Sequence, residues 1–524
     1  MKPEQKKYIA GFNQRKTHII LVILLIGVVA IIYANSFGGP FLFDDNALVK
    51  NNTLIRTLSN IPKFFKTDIW AYNVDAKPIS NSYRPIQVVT YAIDFFLYGN
   101  DPKGFHFTNI LVHLFNVLLV FLLVKEIFNN RFMPFFVSLL FGIHPANTAC
   151  VSYISGRADV LVTAFMLLSI ISYIKYVKNE RLYFLLFSVL SYSFAVYSKE
   201  YAILVVPCIL FLYNIISDRK IIFKIKPYIF YILPLALYLP MRMHALTGLT
   251  SRTLELSTIN LLPRLLTSLK TLFIDIRILF LPYDLHFGRS TKVEYSIFGS
   301  PYSILTILGL VLVTCALRRM YKKWKIEKNT ESGIIFFGIS WFFASMIPLL
   351  NVFPLQVFHA DSWLYFSSIG VYIAFAAAIN YIWQLLSKKS ALFRNVLCIL
   401  ICFMFLYYGY TTVRRNEDYQ SEIKFYLSSV KWRPSVKFYR VIGGLYGKKG
   451  DYNNAVKYLQ KAIEVNKTYP SPEVTAAYYN LGITYMRLSE YKKAEETFEK
   501  VMMSNDESLK KETAKYLLYI KRHR

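Results

Sequence analysis

Apolar runs of 16 to 24 residues recur from residue 18 to about residue 412, and no other feature limits this chain's fold so tightly. A helix needs about 20 apolar residues to cross a bilayer, where every backbone donor and acceptor must find its partner within the segment. Eleven runs read as spans: 18–37, 106–128, 133–153, 158–177, 182–197, 201–216, 227–243, 301–317, 333–350, 363–386 and 392–412. Only 18% of the residues are charged, against about a quarter in a soluble chain. The expected fold is all-α: a polytopic membrane bundle of about eleven spans, followed by a small helical tail.

A further stretch, 260–281, is interrupted by Arg264, Lys270, Asp275 and Arg277. Lys and Arg are retained on the cytoplasmic side, which places the basic N-terminus, "KNER" (178–181), "DRKIIFKIK" (218–226), "RRMYKKWK" (318–325) and "KK" (388–389) inside. An even number of spans must then separate 218–226 from 318–325, so 260–281 is expected to lie along the interface. Eleven spans put the C-terminus outside. The first run is too long for a signal-peptide core and reads as an uncleaved signal anchor.

The net charge of +29 would suggest nucleic acid in a soluble protein. Here the excess sits in short loops, where topology and anionic lipid account for it, and nucleic-acid binding is set aside. The five cysteines fall in or beside apolar runs with neither zinc spacing nor a disulfide framework.

From about residue 412 the composition turns to mixed charge with helical periodicity, giving a membrane domain over 1–412 and an extracytoplasmic repeat domain over 413–524. Residues 442–466 align with 481–505, pairing Gly443 with Gly482, Tyr446 with Tyr485, Ala455 with Ala494 and Leu459 with Phe498. The 39-residue shift is the tetratricopeptide period of about 34 plus an insertion around "YPSP". Two repeats are marginal alone, so flanking helices before 432 and after 507 are expected to cap them.

Polar groups gather at the external ends of the spans: "FDD" (43–45), "HPANTACVSYISGRAD" (144–159), "SKE" (198–200) and "HADSWLYFSSIG" (359–370). Ionisable groups in or beside spans are candidates for function. Asp44 and Asp45 are neighbouring acids, and mutual repulsion raises the affinity of one for a proton. Arg157 with Asp159, and Lys199 with Glu200, set cations beside acids. His106, Asn109, His113 and Asn116 share one helix face; they either line a polar cavity or bond neighbouring helices. His106 and His113 stand too far apart to chelate a metal.

The ordered set "FDD", "YRP" (83–85), "GFHFTNILVH" (104–113), "HPANTACVSYISGRAD", "SKE", "LYFSSIG" (364–370) and "RNEDY" (415–419), followed by tetratricopeptide repeats, resembles one family over nearly the whole chain. It is similar to the transmembrane O-mannosyltransferases targeting cadherins and their prokaryotic relatives, within the GT-C superfamily of lipid-linked sugar transferases. The resemblance implies inverting transfer of a sugar, mannose or a similar hexose, from a polyprenyl- or dolichyl-phosphate donor to a hydroxyl acceptor, protein Ser/Thr, on the external face. It maps the catalytic acids to Asp44 and Asp45. Arg157 and Lys199 become donor-phosphate ligands, with His144 or Arg84 as helpers. His106, Asn109, His113, Asp159, Glu200, Asp361 and Tyr365 become cavity residues. Some members of the superfamily use a divalent metal, Mg or Mn, at the acid and others do not. An acceptor protein docked by the repeats and membrane lipid complete the expectation; the lack of a disulfide pattern and the compact tail favour a prokaryotic plasma membrane, with the endoplasmic reticulum the place in a eukaryote.

The chain departs from the family at 361–368, where Asp-Ser-Trp-Leu-Tyr-Phe-Ser-Ser replaces Glu-Arg-x-Leu-Tyr-Leu-Pro-Ser. The Arg is Ser362 here, so another cation must hold the phosphate if that Arg does so elsewhere. The alternative is a transporter or lipid flippase with a peptide-docking tail. Transporters commonly show pseudo-symmetric halves with polar groups at mid-bilayer; this chain shows neither.

Overall fold

The computed structural model describes residues 3–71, 82–128, 130, 132–217, 226–246, 258–289, 291–296, 298, 301–355, 357–386 and 391–523; side chains are described from Lys16 onward, except those of residues 302 and 523. The basic stretches 218–225 and 388–389 and the basic N-terminal side chains, used above to orient the chain, lie outside the described residues. No strand occurs among the described residues. The chain divides into two units, Met1–Leu285 with Ser290–Glu417, and His286–Arg289 with Asp418–Arg524.

Among the described residues, seven helices are long and apolar enough to cross a membrane: Lys16–Ser36, Pro102–Ile127, Ile154–Asn179, Ser303–Glu327, Thr330–Leu349, Asp361–Leu386 and Ala391–Tyr419. An eighth candidate is the pair Met133–Ile143 and Pro145–Val151, bent by 49°. The runs at 182–197 and 201–216 form the shorter apolar helices Leu182–Ser198 and Ala202–Ile216. The run at 227–243 forms Ile229–Ala245, with Pro234 and Pro240 inside it. Helix entries follow local chemistry: Asp101 accepts from the N–H of Lys103 ahead of Pro102, and Asn329 from that of Ser332.

The unit is turned inside out relative to a soluble protein. Ile19, Ile23, Leu312, Ile399, Phe403 and Leu406 are exposed, while Arg157, Asn109, Asn116 and His113 are buried. Lipid is the solvent for which that arrangement is stable. The chain is an integral multi-pass membrane protein. Helices Thr330–Met346 and Leu364–Leu386 approach so closely that a Cβ on Gly338 would stand 2.4 Å from the Gly370 carbonyl oxygen; only glycine fits that crossing.

The stretch 260–281 forms one helix, Leu261–Phe280. Its Thr267, Ser268, Thr271 and Asp275 are buried against protein, while Leu262, Phe273 and Phe280 are exposed. Its polar stripe faces the bundle. Helix Pro85–Tyr98, between the first two spans, was not among the expected elements: its Asp94 and Gln87 interrupt the apolar pattern, and both are buried.

The tail unit consists of helices Glu422–Val430, Val436–Lys448, Tyr452–Asn466, Glu473–Arg487, Tyr491–Met502 and Glu507–His523. Ser421, Ser435 and Asp451 cap three of them. The aligned repeat positions meet as the sequence requires. A Cβ on Gly443 would stand 2.5 Å from Leu459, and one on Gly482 would stand 2.4 Å from Phe498. The last helix covers the second repeat through Ile520, which packs with Leu481, Tyr485 and Phe498. Phe287 belongs to this unit as well, its ring 4.8 Å from that of Phe425.

Candidate active site

The chain leaves the first span at Tyr33–Ser36 and turns sharply; Phe43 takes the left-handed φ of 37° that sets up the two acids. Asp45 is fully buried. Its Oδ2 accepts from the Leu42 N–H at 2.9 Å, and its Oδ1 accepts from the Ser155 N–H at 2.8 Å and from the Ser155 hydroxyl. Burial pushes the Asp45 carboxyl up to about 7, against the hydrogen bonds from Ser155 and Leu42 and with help from the neighbouring Asp44 charge. Asp44 is half-buried, and its N–H donates to the Tyr153 hydroxyl at 3.1 Å. The two acids have therefore separated: Asp45 is built into the fold, and Asp44 reaches solvent beside it.

Two short links tie the pair to cations. Ser155 precedes Asp159 by four residues, about one helical turn, and Asp159 holds Lys199 Nζ at 2.6 Å. The Ser155 carbonyl accepts from Gln87 Nε2 at 3.3 Å, and Gln87 lies three residues beyond Arg84. Glu200, next to Lys199, contacts Arg84 Nε at 3.6 Å and Arg242 at 3.1 Å, and accepts from the Tyr83 N–H at 3.1 Å. Burial alone would raise the Glu200 carboxyl, but Arg84 and Arg242 hold it below its ordinary range. Asp44, Lys199 and Arg84 thus belong to one end of the bundle, joined through residues 155–159.

Other expected site residues are placed differently. Arg157 is fully buried and is not available to a phosphate: NH1 pairs with Asp94 at 2.5 Å, Nε donates to Asn109 at 2.7 Å, and NH2 donates to the Phe105 carbonyl at 2.7 Å. It is an internal strut, because a guanidinium inside a bundle is stable only when its donors are matched. His144 is also buried, its Nδ1 accepting from the Ala146 N–H at 3.3 Å and its Nε2 lying 3.2 Å from the Leu279 carbonyl oxygen; it holds the bend between Ile143 and Pro145 instead of a phosphate.

The stripe on Pro102–Ile127 bonds to neighbouring segments of the bundle. His106 meets the Gly39 carbonyl, and Asn109 donates to the Tyr153 carbonyl at 3.0 Å. His113 bridges Gly142 and the Tyr365 hydroxyl, while Asn116 donates to the Val160 carbonyl and to Tyr365. All four and Tyr365 are buried. These bonds fasten the segments around Gly39 and Tyr153, which carry the acid pair and its anchor.

Asp361 is buried beside His359, whose two ring nitrogens lie 3.2 Å from Asp361 and 3.1 Å from Asp275. His359, Asp275, Asp94, Arg242, Tyr153 and Ser155 were not singled out as site residues by sequence reasoning. Asp94 and Asp275 did carry a signal, each being an acid inside an apolar stretch.

Among the described residues no three His, Cys, Asp or Glu side chains gather as a metal set. Both Asp45 oxygens are engaged by Leu42 and Ser155, so the pair does not present two carboxylates to a divalent cation.

Residues 85–244 match the family model described as dolichyl-phosphate-mannose-protein mannosyltransferase, and residues 437–502 match a tetratricopeptide-repeat model. The human protein O-mannosyl-transferase TMTC3 is 24% identical over 518 residues, which cover 91% of this chain and 54% of that protein. The Caenorhabditis elegans protein O-mannosyl-transferase F38B6.6 is 25% identical over 459 residues, 86% of this chain and 63% of that one. The chain spans about half the length of the first of these relatives. A crystal structure of the apo Archaeoglobus fulgidus oligosaccharyltransferase aligns with a TM-score of 0.45 at 12% identity, covering 76% of this chain and 56% of that one. Over 91% of its length the chain is similar to a protein O-mannosyl-transferase, and residues 437–502 match tetratricopeptide repeats.

Proposed function

We propose that this chain is a membrane-embedded inverting glycosyltransferase that moves mannose, or a similar hexose, from a polyprenyl- or dolichyl-phosphate donor to a Ser or Thr hydroxyl. Asp44 is the base. It takes the proton as the acceptor oxygen attacks the anomeric carbon from the face opposite the phosphate; the carbon–oxygen bond to phosphate breaks, and the lipid phosphate leaves as an anion. Lys199 and Arg84 hold that phosphate and gain strength as its charge develops. Asp45, tied to Ser155, fixes the direction of Asp44. The acid pair lies on the external face, with the N-terminus cytoplasmic, in a prokaryotic plasma membrane. The repeat unit docks the acceptor protein.

One observation carries the reading. Asp45, the neighbour of Asp44, is bonded to Ser155, and Lys199 to Asp159 four residues further on, so the acid pair and the cation are both anchored at the entry of a single helix. Incubating the purified chain with dolichyl- or undecaprenyl-phosphate mannose and Ser/Thr peptides tests it by mass spectrometry of the peptide. A hexose added by the wild type and absent with D44N supports it; a folded wild type that transfers from neither donor overturns it.

A further inference from the structure

Glu200 sits in the short link between helices Leu182–Ser198 and Ala202–Ile216, with one carboxylate shared by two guanidiniums. Arg242 NH1 approaches Glu200 Oε1 at 3.1 Å, a hydrogen-bond distance. Arg84 does not approach so closely: its Nε stands 3.6 Å from Oε2, and that nitrogen is buried without a hydrogen bond. The side chains of Arg84 and Glu200 retain 26% and 28% of their surface in solvent.

The surroundings are stiff. Tyr83, Tyr197 and Tyr238 pack against one another with ring centroids 5.3 to 6.3 Å apart. Tyr83 Oη donates to the Phe65 carbonyl at 2.8 Å, and the Tyr83 N–H donates to Glu200 itself. A guanidinium has a planar fork of donors that suits two oxygens of one anion. Arg157 meets Asp94, Asn109 and the Phe105 carbonyl at 2.5 to 2.7 Å, whereas Arg84 meets Glu200 only at 3.6 Å. A buried donor left without a partner is costly, which favours any oxyanion that can fill the gap.

We propose that Arg84 and Arg242 form a clamp for a phosphate group, and that Glu200 is its resident stand-in. The carboxylate keeps the two guanidiniums apart and oriented when no phosphate is bound, and yields its place between them when one arrives. The proposal rests on the transferase reading for the source of the phosphate, the head of the polyprenyl-phosphate donor. Free phosphate has the same chemistry. Competition between Glu200 and ligand keeps the grip moderate, which suits a site that must release polyprenyl phosphate after each turnover.

The full chain in nanodiscs, titrated with undecaprenyl phosphate by native mass spectrometry, tests the clamp. R84Q and R242Q are each expected to weaken binding about tenfold or more, since each removes a charge-assisted hydrogen bond to the phosphate. E200Q, which retains an oxygen for the Tyr83 N–H and removes only the competing charge, is expected to tighten binding several-fold. If R242Q melts lower than the wild type, R242K takes its place, keeping the charge without the fork; it too should bind more weakly. A second titration with inorganic phosphate separates the sources: displacement of the lipid means the clamp reads phosphate alone, and its failure means the lipid head is read with its chain. Unchanged binding in both arginine variants overturns the clamp, as does an E200Q that binds as poorly as they do. A wild type that transfers mannose in either of those cases leaves the transferase reading intact; one that neither binds nor transfers removes both.

Discussion

Asp45 and Ser155, 110 positions apart, meet in a double hydrogen bond in which the Ser155 N–H and hydroxyl both donate to one carboxylate oxygen. The bond joins the loop after the first span to the entry of helix Arg157–Asn179, so the direction of Asp44 depends on a residue in another part of the chain.

Asp45 gives the membrane unit a pH-dependent stability. Its carboxyl is raised in the folded state from 3.8 to about 7 by burial. Between those values the folded chain holds a proton that the unfolded chain has lost, so stability is greatest at low pH and declines as pH rises through about 7. The amplitude is on the order of 4 kcal/mol. Thermal unfolding of the wild type should drop between pH 5 and pH 8. D45N should be less stable at pH 5 but largely flat over that range, because its amide nitrogen faces the Leu42 N–H and cannot titrate.

D44N should leave unfolding and undecaprenyl-phosphate binding unchanged while kcat for peptide mannosylation falls by about 10²–10⁴-fold, the ordinary worth of a positioned base. Donor titration beside a turnover assay checks this. A kcat within a factor of a few of wild type would move the base elsewhere.

Arg157 and Asp94 form a buried pair, and removal of one partner leaves an unmatched charge in the bundle. R157Q and D94N are each expected to lose about 3–5 kcal/mol of stability. The double variant should lose less than the sum of the two, since neither charge is then stranded. Arg157 as a phosphate ligand predicts the opposite pattern, a stable R157Q with a raised donor KM.

G482A should destabilise the tail unit, because its new methyl would stand 2.4 Å from Phe498. Overpacking of that kind costs about 1–3 kcal/mol. Limited proteolysis should open residues 473–502 first and leave the span helices protected. An exposed glycine such as Gly450 is no control here, since its φ of 79° carries strain of its own on substitution.

Local patterns in the chain were enough to read most of the helices and the repeats. The runs around 102–127 and 154–179 are helices because nothing else satisfies the backbone in lipid, and Gly443 with Gly482 marked where the repeat helices touch. The acid pair, Lys199 and Arg84 could also be selected, since a charge beside an apolar run is costly unless it has a task. What the pattern could not supply was which of these charges face inward. Arg157 and His144 have the same composition signal as Lys199 and Arg84, and only the partners differ: Asp94 and Asn109 for the one, the Ala146 N–H for the other. Those partners lie on other helices or form by local turns that periodicity does not record.

The sequence by itself determined that the chain is a helical membrane protein with a repeat tail, and that its acids and cations gather around a few span ends, because hydropathy and period are local properties. The tertiary structure alone decided that Asp45 is sealed while Asp44 reaches solvent, and that Arg157 is a strut while Arg84 meets Glu200 only at 3.6 Å. Burial and hydrogen-bond matching are settled by contacts between segments far apart in the chain, such as Ser155 with Asp45 and Arg84 with Glu200.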